Sequence, residues 1–336
     1  MRGFAVLMLA LSTGCAGKGA PVLAAPTTDA PCRFEPADSA WLDRAIRGWH
    51  RVGERRLALS AHALPPLILF DTRCVHHLHV GTSWHVRTEP HRGVVRLPNG
   101  LAIAPIGIGI TSPTRGDTAI FLALALPESW RADPRYRGTN DTRDSWERYL
   151  VRAFTHEMTH ARMLPGLVSR LRALEASIFP DTIEDNIVQA RFGQDRDFAQ
   201  AVLRETDLLY RAASAATVRA RQAYVRAALT SMDERRRRFY TGDSASWREL
   251  EQTLLDLEGV AQWAALGHLT GGATTGATFE RALAQFRAGR EFWSEDQGLA
   301  LILALDRLVP DWQRQLISAT PTSSFALLTQ ALADSR

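Results

Sequence analysis

Residues 156–160 read His-Glu-Met-Thr-His, and their types and spacing suit a metal site. On a helix, His156 and His160 project from one face a turn apart, so both imidazoles reach the same tetrahedral zinc ion. Glu157 then lies beside them as a general base, within reach of a water activated by such an ion. The competing reading makes the two histidines hydrogen-bonded core residues and Glu157 a surface carboxylate. A catalytic zinc takes three protein ligands and keeps a fourth position open, so a further ligand has to be found.

Gly166 stands where a third histidine six residues after His160 would fall. The strongest candidate is Glu258, inside Leu254–Leu266 (LLDLEGVAQWAAL), where Leu254, Leu257, Ala261, Ala264 and Ala265 keep helical periodicity. A carboxylate on an apolar face needs a cation, and a zinc dication supplies one. Gly259 lets another backbone or a substrate approach closely. Gln262, one turn on, is placed to orient a ligand histidine from outside the coordination sphere. The alternatives are a surface row shared with Glu249 and Glu251, or ligation by Glu175, Glu184, Asp185, Glu205 or Asp207, most of which sit in polar stretches. With Glu258 as ligand, the helices between Leu167 and Leu250 read as an insertion folding away from the cleft.

The elements that position these residues are legible in outline. Asp144 and Glu147 resemble a capping box, Tyr149, Ala153 and Phe154 supply an apolar stripe, and Pro165 marks the end of the histidine helix. Trp41, Ala45, Trp49, Val52 and Leu57 give a first amphipathic helix over Asp38–Leu59. Pro66–Asp71, Val94–Leu97, Leu101–Ile110 and Ala119–Leu126 are short and apolar with turn punctuation between them, which predicts a small antiparallel or mixed sheet. After Pro127 long amphipathic segments run almost to the end, broken at Pro165-Gly166, Pro180, Gly193, Thr241-Gly242, Gly271-Gly272, Gly289 and Pro310. The fold class is therefore α+β and mostly helical: an α/β portion over 31–140 with a small sheet, then a helical portion over 141–336 bearing the metal-site helices. The two portions can form one compact unit.

At the N-terminus, Arg2 precedes an uncharged run from Gly3 to Leu11, too short to span a bilayer and suited to a signal-peptide core over 1–14. The sequence LSTGC (Leu11–Cys15) resembles a bacterial lipobox, which makes Cys15 a lipidation site and the protein a membrane-anchored lipoprotein facing the periplasm. Val22-Leu23-Ala24 offers a competing cleavage that would leave it soluble in the periplasm or secreted. Residues 15–30, rich in Ala, Gly, Pro and Thr, read as a tether. Of the three cysteines, lipidation of Cys15 leaves Cys32 and Cys74 as a pair for a disulfide in an oxidising compartment, the alternative being two buried thiols.

The 336 residues are 46% hydrophobic, ample for a core, and Lys plus Arg exceed Asp plus Glu by only 40 to 36. That balance excludes a nucleic-acid role. The run Arg235–Arg238 reads as a solvated helix end, with a phosphate-binding patch as the alternative. His76, His77 and His79, with His85 and His91 nearby, read as loop histidines between strands, a second metal site being the other possibility. Gly-x-Ser-x-Gly and Gly-rich phosphate-loop patterns are absent from the sequence.

HEMTH followed by EGVAQW resembles the gluzincin group of zinc metallopeptidases, whose third ligand is a Glu on a later helix. The order of FLALALPESW, the HEMTH helix and long helices also resembles uncharacterised bacterial proteins predicted to be such peptidases. The resemblance implies a zincin-like fold, one zinc ion on His156, His160 and Glu258, general-base duty for Glu157, and a peptide or protein substrate. It further implies a Tyr or His stabilising the transition state, for which Tyr240, Tyr224 and His268 are candidates. The strand Ala119–Leu126 would be the cleft-edge strand that pairs with an extended substrate, or else an interior strand. The runner-up reading is a non-catalytic zincin-fold lipoprotein serving as a binding or scaffold protein; retention of Glu157 favours the enzyme.

Overall fold

The computed structural model describes residues 31–334 apart from 60–63, 81–83, 99, 101, 106–107, 112–119, 133–141, 179–182, 184 and 289–291. The expected signal peptide and the whole expected tether, Cys15 included, lie outside the described residues. The chain divides into two units, Met1–Glu54 with Leu59–Ala161 and Arg55–Ala58 with Arg162–Arg336. Among the described residues no helix is long and apolar enough to cross a membrane.

In the first unit, α1 (Pro36–Arg55) buries Trp41, Leu42, Ala45, Trp49 and Val52 along one face. It stops four residues short of Leu59 because the chain turns back: Ala58 adopts left-handed backbone at φ 51°, and the Leu59 N–H reaches the Gly53 carbonyl at 3.0 Å. The strands are β1 (Leu67–Phe70), β2 (Cys74–Val80), β3 (Trp84–Pro90), β4 (Val95–Arg96), β5 (Ala102–Ile103), β6 (Ile108–Thr111) and β7 (Phe121–Ala125). Five of them form a mixed sheet in the order β3-β2-β1-β7-β6, with β1 parallel to β7 and every other pair antiparallel; β4 and β5 form a separate ribbon. The central strands β1 and β7 are apolar and buried throughout, as strands covered on both faces must be.

Two expectations are corrected here. The segment 101–110 holds two strands belonging to different sheets. The histidines 76, 77, 79 and 85 lie on β2 and β3, not in loops. Of the two readings of Ala119–Leu126 the interior one holds: β7 has neighbours on both sides, so its backbone has no vacant edge for a substrate. A Cys32–Cys74 disulfide, Cα atoms 5.7 Å apart, fixes the chain entering α1 to the start of β2.

After α2 (Pro127–Ala132) comes α3 (Arg143–Ile178), the helix that carries the histidines. Its cap is Thr142 with Ser145, not Asp144 with Glu147. The Ser145 N–H donates to the Thr142 hydroxyl and the Thr142 N–H to the Ser145 hydroxyl, both at 3.2 Å. Glu147 serves instead as an anchor to α1: Arg143 and Arg44 both pair with its carboxylate, and the Trp41 indole donates to its carbonyl at 3.3 Å. Arg143 also reaches Asp38 at 2.8 Å. Trp130 stacks on Trp146 at 5.5 Å, and Tyr149 meets both edge-on.

Pro165 does not end this helix. It denies the Ala161 carbonyl an N–H partner, yet Leu164, Leu167, Leu171 and Leu174 continue a buried stripe that holds the helix together to Ile178. Gly166 is there for another reason: a Cβ would sit 2.2 Å from the Ser318 carbonyl.

The second unit adds α4 (Ile187–Phe192), α5 (Arg196–Ser214), α6 (Val218–Phe239), α7 (Trp247–Leu269), α8 (Ala277–Ala288), α9 (Trp293–Asp306), α10 (Trp312–Leu316) and α11 (Ser324–Ala333). The most central, α9, is buried almost all round, and α5 and α7 pack on it. The segment between Leu167 and Leu250 packs into this unit, since α5 lies on α9 and α6 on α5, with Phe198, Val202, Leu209 and Met232 in the core.

At the heart of this unit lies a charge cluster that also corrects the reading of Arg235–Arg238. Arg235 and Arg236 are buried, and only Arg237 and Arg238 are solvated. Arg235 donates to Glu205 of α5 and to Glu251 of α7, Arg236 donates to Glu251 at 2.6 Å, and Gln297 of α9 donates to Glu205 at 3.1 Å. Burial alone would raise the Glu251 carboxyl, but Arg235 and Arg236 outweigh it and hold the group at about 2. Burial pushes Glu205 the other way, upward, with Arg235 opposing.

Where α7 meets α9 no side chain intervenes. A Cβ on Gly259 would lie 2.4 Å from the Gly298 carbonyl oxygen, and one on Gly298 would lie 2.7 Å from that of Leu255. Gly259→Ala should therefore destabilise the protein by about 1–3 kcal/mol through overpacking, overriding the gain of roughly 1 kcal/mol that alanine brings to an exposed helix interior. A urea midpoint unchanged or raised in that variant would contradict the contact.

Candidate metal centre

The local sequence of α3 explains how the histidines are held. Thr155 and Thr159, each one residue before a histidine, are fully buried and donate their hydroxyls to the carbonyls one turn back, Val151 at 3.0 Å and Thr155 at 2.9 Å. Their hydroxyls are thus satisfied inside the helix, and the histidines that follow them are buried as well. Leu150, Phe154 and Met158 are buried on the same helix.

His156 and His160 meet with ring centroids 4.5 Å apart and planes nearly perpendicular, their Nε2 atoms separated by 2.8 Å. One ring donates its Nε2–H to the lone pair of the other. Glu258 lies on α7, within a segment buried from Trp247 to Gly267 save for Arg248, Glu249 and Gln252. Gly259 beside it admits a backbone, that of Gly298, and not a substrate. Asp256, two residues before it, accepts from Ser324 and from Gln252 at 3.0 Å and so fixes the start of α11 to α7; burial pushes its carboxyl up to about 6 despite those bonds.

The structure brings His156, His160 and Glu258 together. One ligand atom from each lies within 4.8 Å of the others, and all three residues are buried, so the group could bind a metal ion. Two nitrogens on a tetrahedral zinc, each at 2.0–2.1 Å, stand about 3.3 Å apart. The imidazole pair, at 2.8 Å, needs only a small opening to take an ion, and the donor set of two neutral imidazoles and one carboxylate fits zinc. Glu157, between the histidines, is 1% exposed.

No family model matches the chain, and no curated protein or solved structure matches it either.

The remaining candidates fall elsewhere. Gln262 is buried one turn beyond Glu258. Tyr240 is committed to the charge cluster, donating its hydroxyl to Glu251 at 2.9 Å, and burial raises its pKa far above the usual tyrosine range. That leaves it no free proton for an oxyanion. Tyr224 lies half-buried on α6, and His268 half-buried in the last turn of α7. Of the rival ligands, Glu205 is taken by Arg235 and Asp207 pairs with Arg287. Glu175 is half-buried on α3, with its pKa raised by burial; Asp185 is buried, and Glu184 lies outside the described residues. The two threonines were missed by sequence reasoning. Their signal was a hydroxyl residue immediately before each histidine.

Proposed function

We propose that this protein is a zinc-dependent hydrolase, a metallopeptidase in which His156, His160 and Glu258 hold the ion and Glu157 is the general base. The observation that carries the reading is the buried His156, His160 and Glu258 group, with the buried Glu157 following His156 on the same helix. A bound zinc ion would supply Lewis acidity, making a water more acidic and polarising a scissile carbonyl. The work of the chain is then proton handling and orientation. Glu157 accepts the proton of the attacking water and returns it to the leaving amine. Thr155 and Thr159 satisfy their hydroxyls within the helix that carries the imidazoles, and the Gly259–Gly298 contact fixes how closely the helix of Glu258 approaches α9. The resemblance to gluzincins supports a peptide substrate. The lipobox-like LSTGC supports export with Cys15 as anchor, and the Cys32–Cys74 bridge agrees with an oxidising compartment.

The burial of all four groups also favours a second reading, a non-catalytic protein built around a buried metal. One experiment bears on both. Zinc-replete purification should yield one zinc per chain, and Glu258→Ala should lower zinc affinity by more than about 100-fold, beyond what partners outside the coordination sphere cost, while Glu175→Ala leaves it unchanged. Absence of stoichiometric metal would sink both readings. Chelator-sensitive cleavage of a fluorogenic peptide library, restored by zinc, would decide for the enzyme.

A further inference from the structure

We propose that His77, His79 and His85, which share one face of the sheet but whose ligand atoms are not gathered in this structure, turn to take up a divalent transition-metal ion of the zinc, copper or nickel class. His77 and His79 are two apart on β2, so their side chains leave the same face of the sheet. In the antiparallel register His79 stands directly opposite His85 of β3. Residues so paired have Cβ atoms about 4.5–5.5 Å apart, a separation two imidazoles span to share one ion. The face is the outer one: Leu78 and His76 are buried on the other, where His76 Nδ1 meets the Thr88 hydroxyl at 3.1 Å, while His79 and His85 are exposed.

His77 has a partner that suits a ligand. Its Nε2 meets the Glu89 carboxylate at 3.0 Å, which leaves Nδ1 for a metal. A carboxylate behind a histidine fixes the tautomer and raises ligand basicity, as found around bound metals generally. Arg87, opposite His77 on the same face, would oppose a cation, but it lies 3.6 Å from Glu89, which offsets its charge. Two or three imidazoles with water completing the shell select borderline ions over magnesium or calcium. This site involves none of the residues of the buried group and stands whether or not that group is catalytic.

The test uses the full chain with His156→Ala and His160→Ala, titrated with nickel chloride by calorimetry. One ion per chain should bind, and adding His79→Ala or His85→Ala should weaken it by about tenfold or more, with Glu89→Gln weakening it less. Both histidines are exposed, so their removal leaves the core intact and circular dichroism should be unchanged. Should the first two substitutions prevent folding, the zinc-saturated wild-type chain gives the same reading on its additional equivalent. Copper bound there should show imidazole nitrogen couplings in its paramagnetic resonance spectrum. No binding above buffer, or an affinity indifferent to His79→Ala and His85→Ala, overturns the proposal.

Discussion

Glu157→Gln should keep one zinc per chain and lose hydrolysis by about 10²–10⁴-fold, the usual worth of a positioned general base. The change preserves shape and volume at a residue that is 1% exposed, so the packing of α3 against its surroundings has no reason to shift. It removes only the ability to accept a proton. The imidazoles of His156 and His160 and the carboxylate of Glu258, the proposed ligands, are untouched. Elemental analysis and peptide turnover on the same preparation separate the two effects. A variant that turns over like the wild type would show that another group moves the proton; one that loses its metal would mean Glu157 is a ligand.

The second large effect is expected at Arg235. Its guanidinium is 3% exposed and joins Glu205, Glu251 and the Tyr240 hydroxyl across three helices. Truncating one member of such a cluster leaves carboxylates buried without compensation, at a cost of about 3–5 kcal/mol. Arg235→Ala should therefore unfold at a much lower urea concentration or fail to accumulate. Arg235→Lys should rescue only part, since an ammonium cannot make the forked contacts. The pH dependence has a definite sign. Glu251 is held at about 2, below the ordinary 4.5, so its stabilising contribution is complete above about 4.5 and is lost as pH falls toward 2. Glu251→Gln should flatten the acid limb of the stability curve over that window. An Arg235→Ala midpoint within error of the wild type would show the cluster to be energetically idle.

The parts of the fold that were legible from sequence are those decided by local periodicity. The four-residue spacing of His156 and His160, the apolar run around Glu258 and the tryptophans of α1 each state a helix and its buried face within a short window. What was illegible depends on partners distant in sequence. Arg235 and Arg236 look like a solvated basic run until Glu205, thirty residues back, and Glu251, sixteen residues on, are placed against them. The strands β2 and β3 were hidden because their histidines, arginine and glutamate give no apolar alternation; the buried His76 and Leu78 mark the inner face only once the register is known. Pro165 misled for the opposite reason: the local rule was sound, and the buried leucines on either side of it prevailed.

The contact between Gly259 and Gly298 has a consequence for how this chain can change over generations. Because two main chains meet there without a side chain between them, the spacing of α7, which carries Glu258, from α9 is set by backbone against backbone. Conservative swaps among the leucines of α7 and α9 then alter cost but not that spacing. The positions that tolerate least drift are the His156, His160 and Glu258 group, Glu157, the glycine pair and the buried ions. The exposed faces of α5, α6 and α8 carry no such constraint.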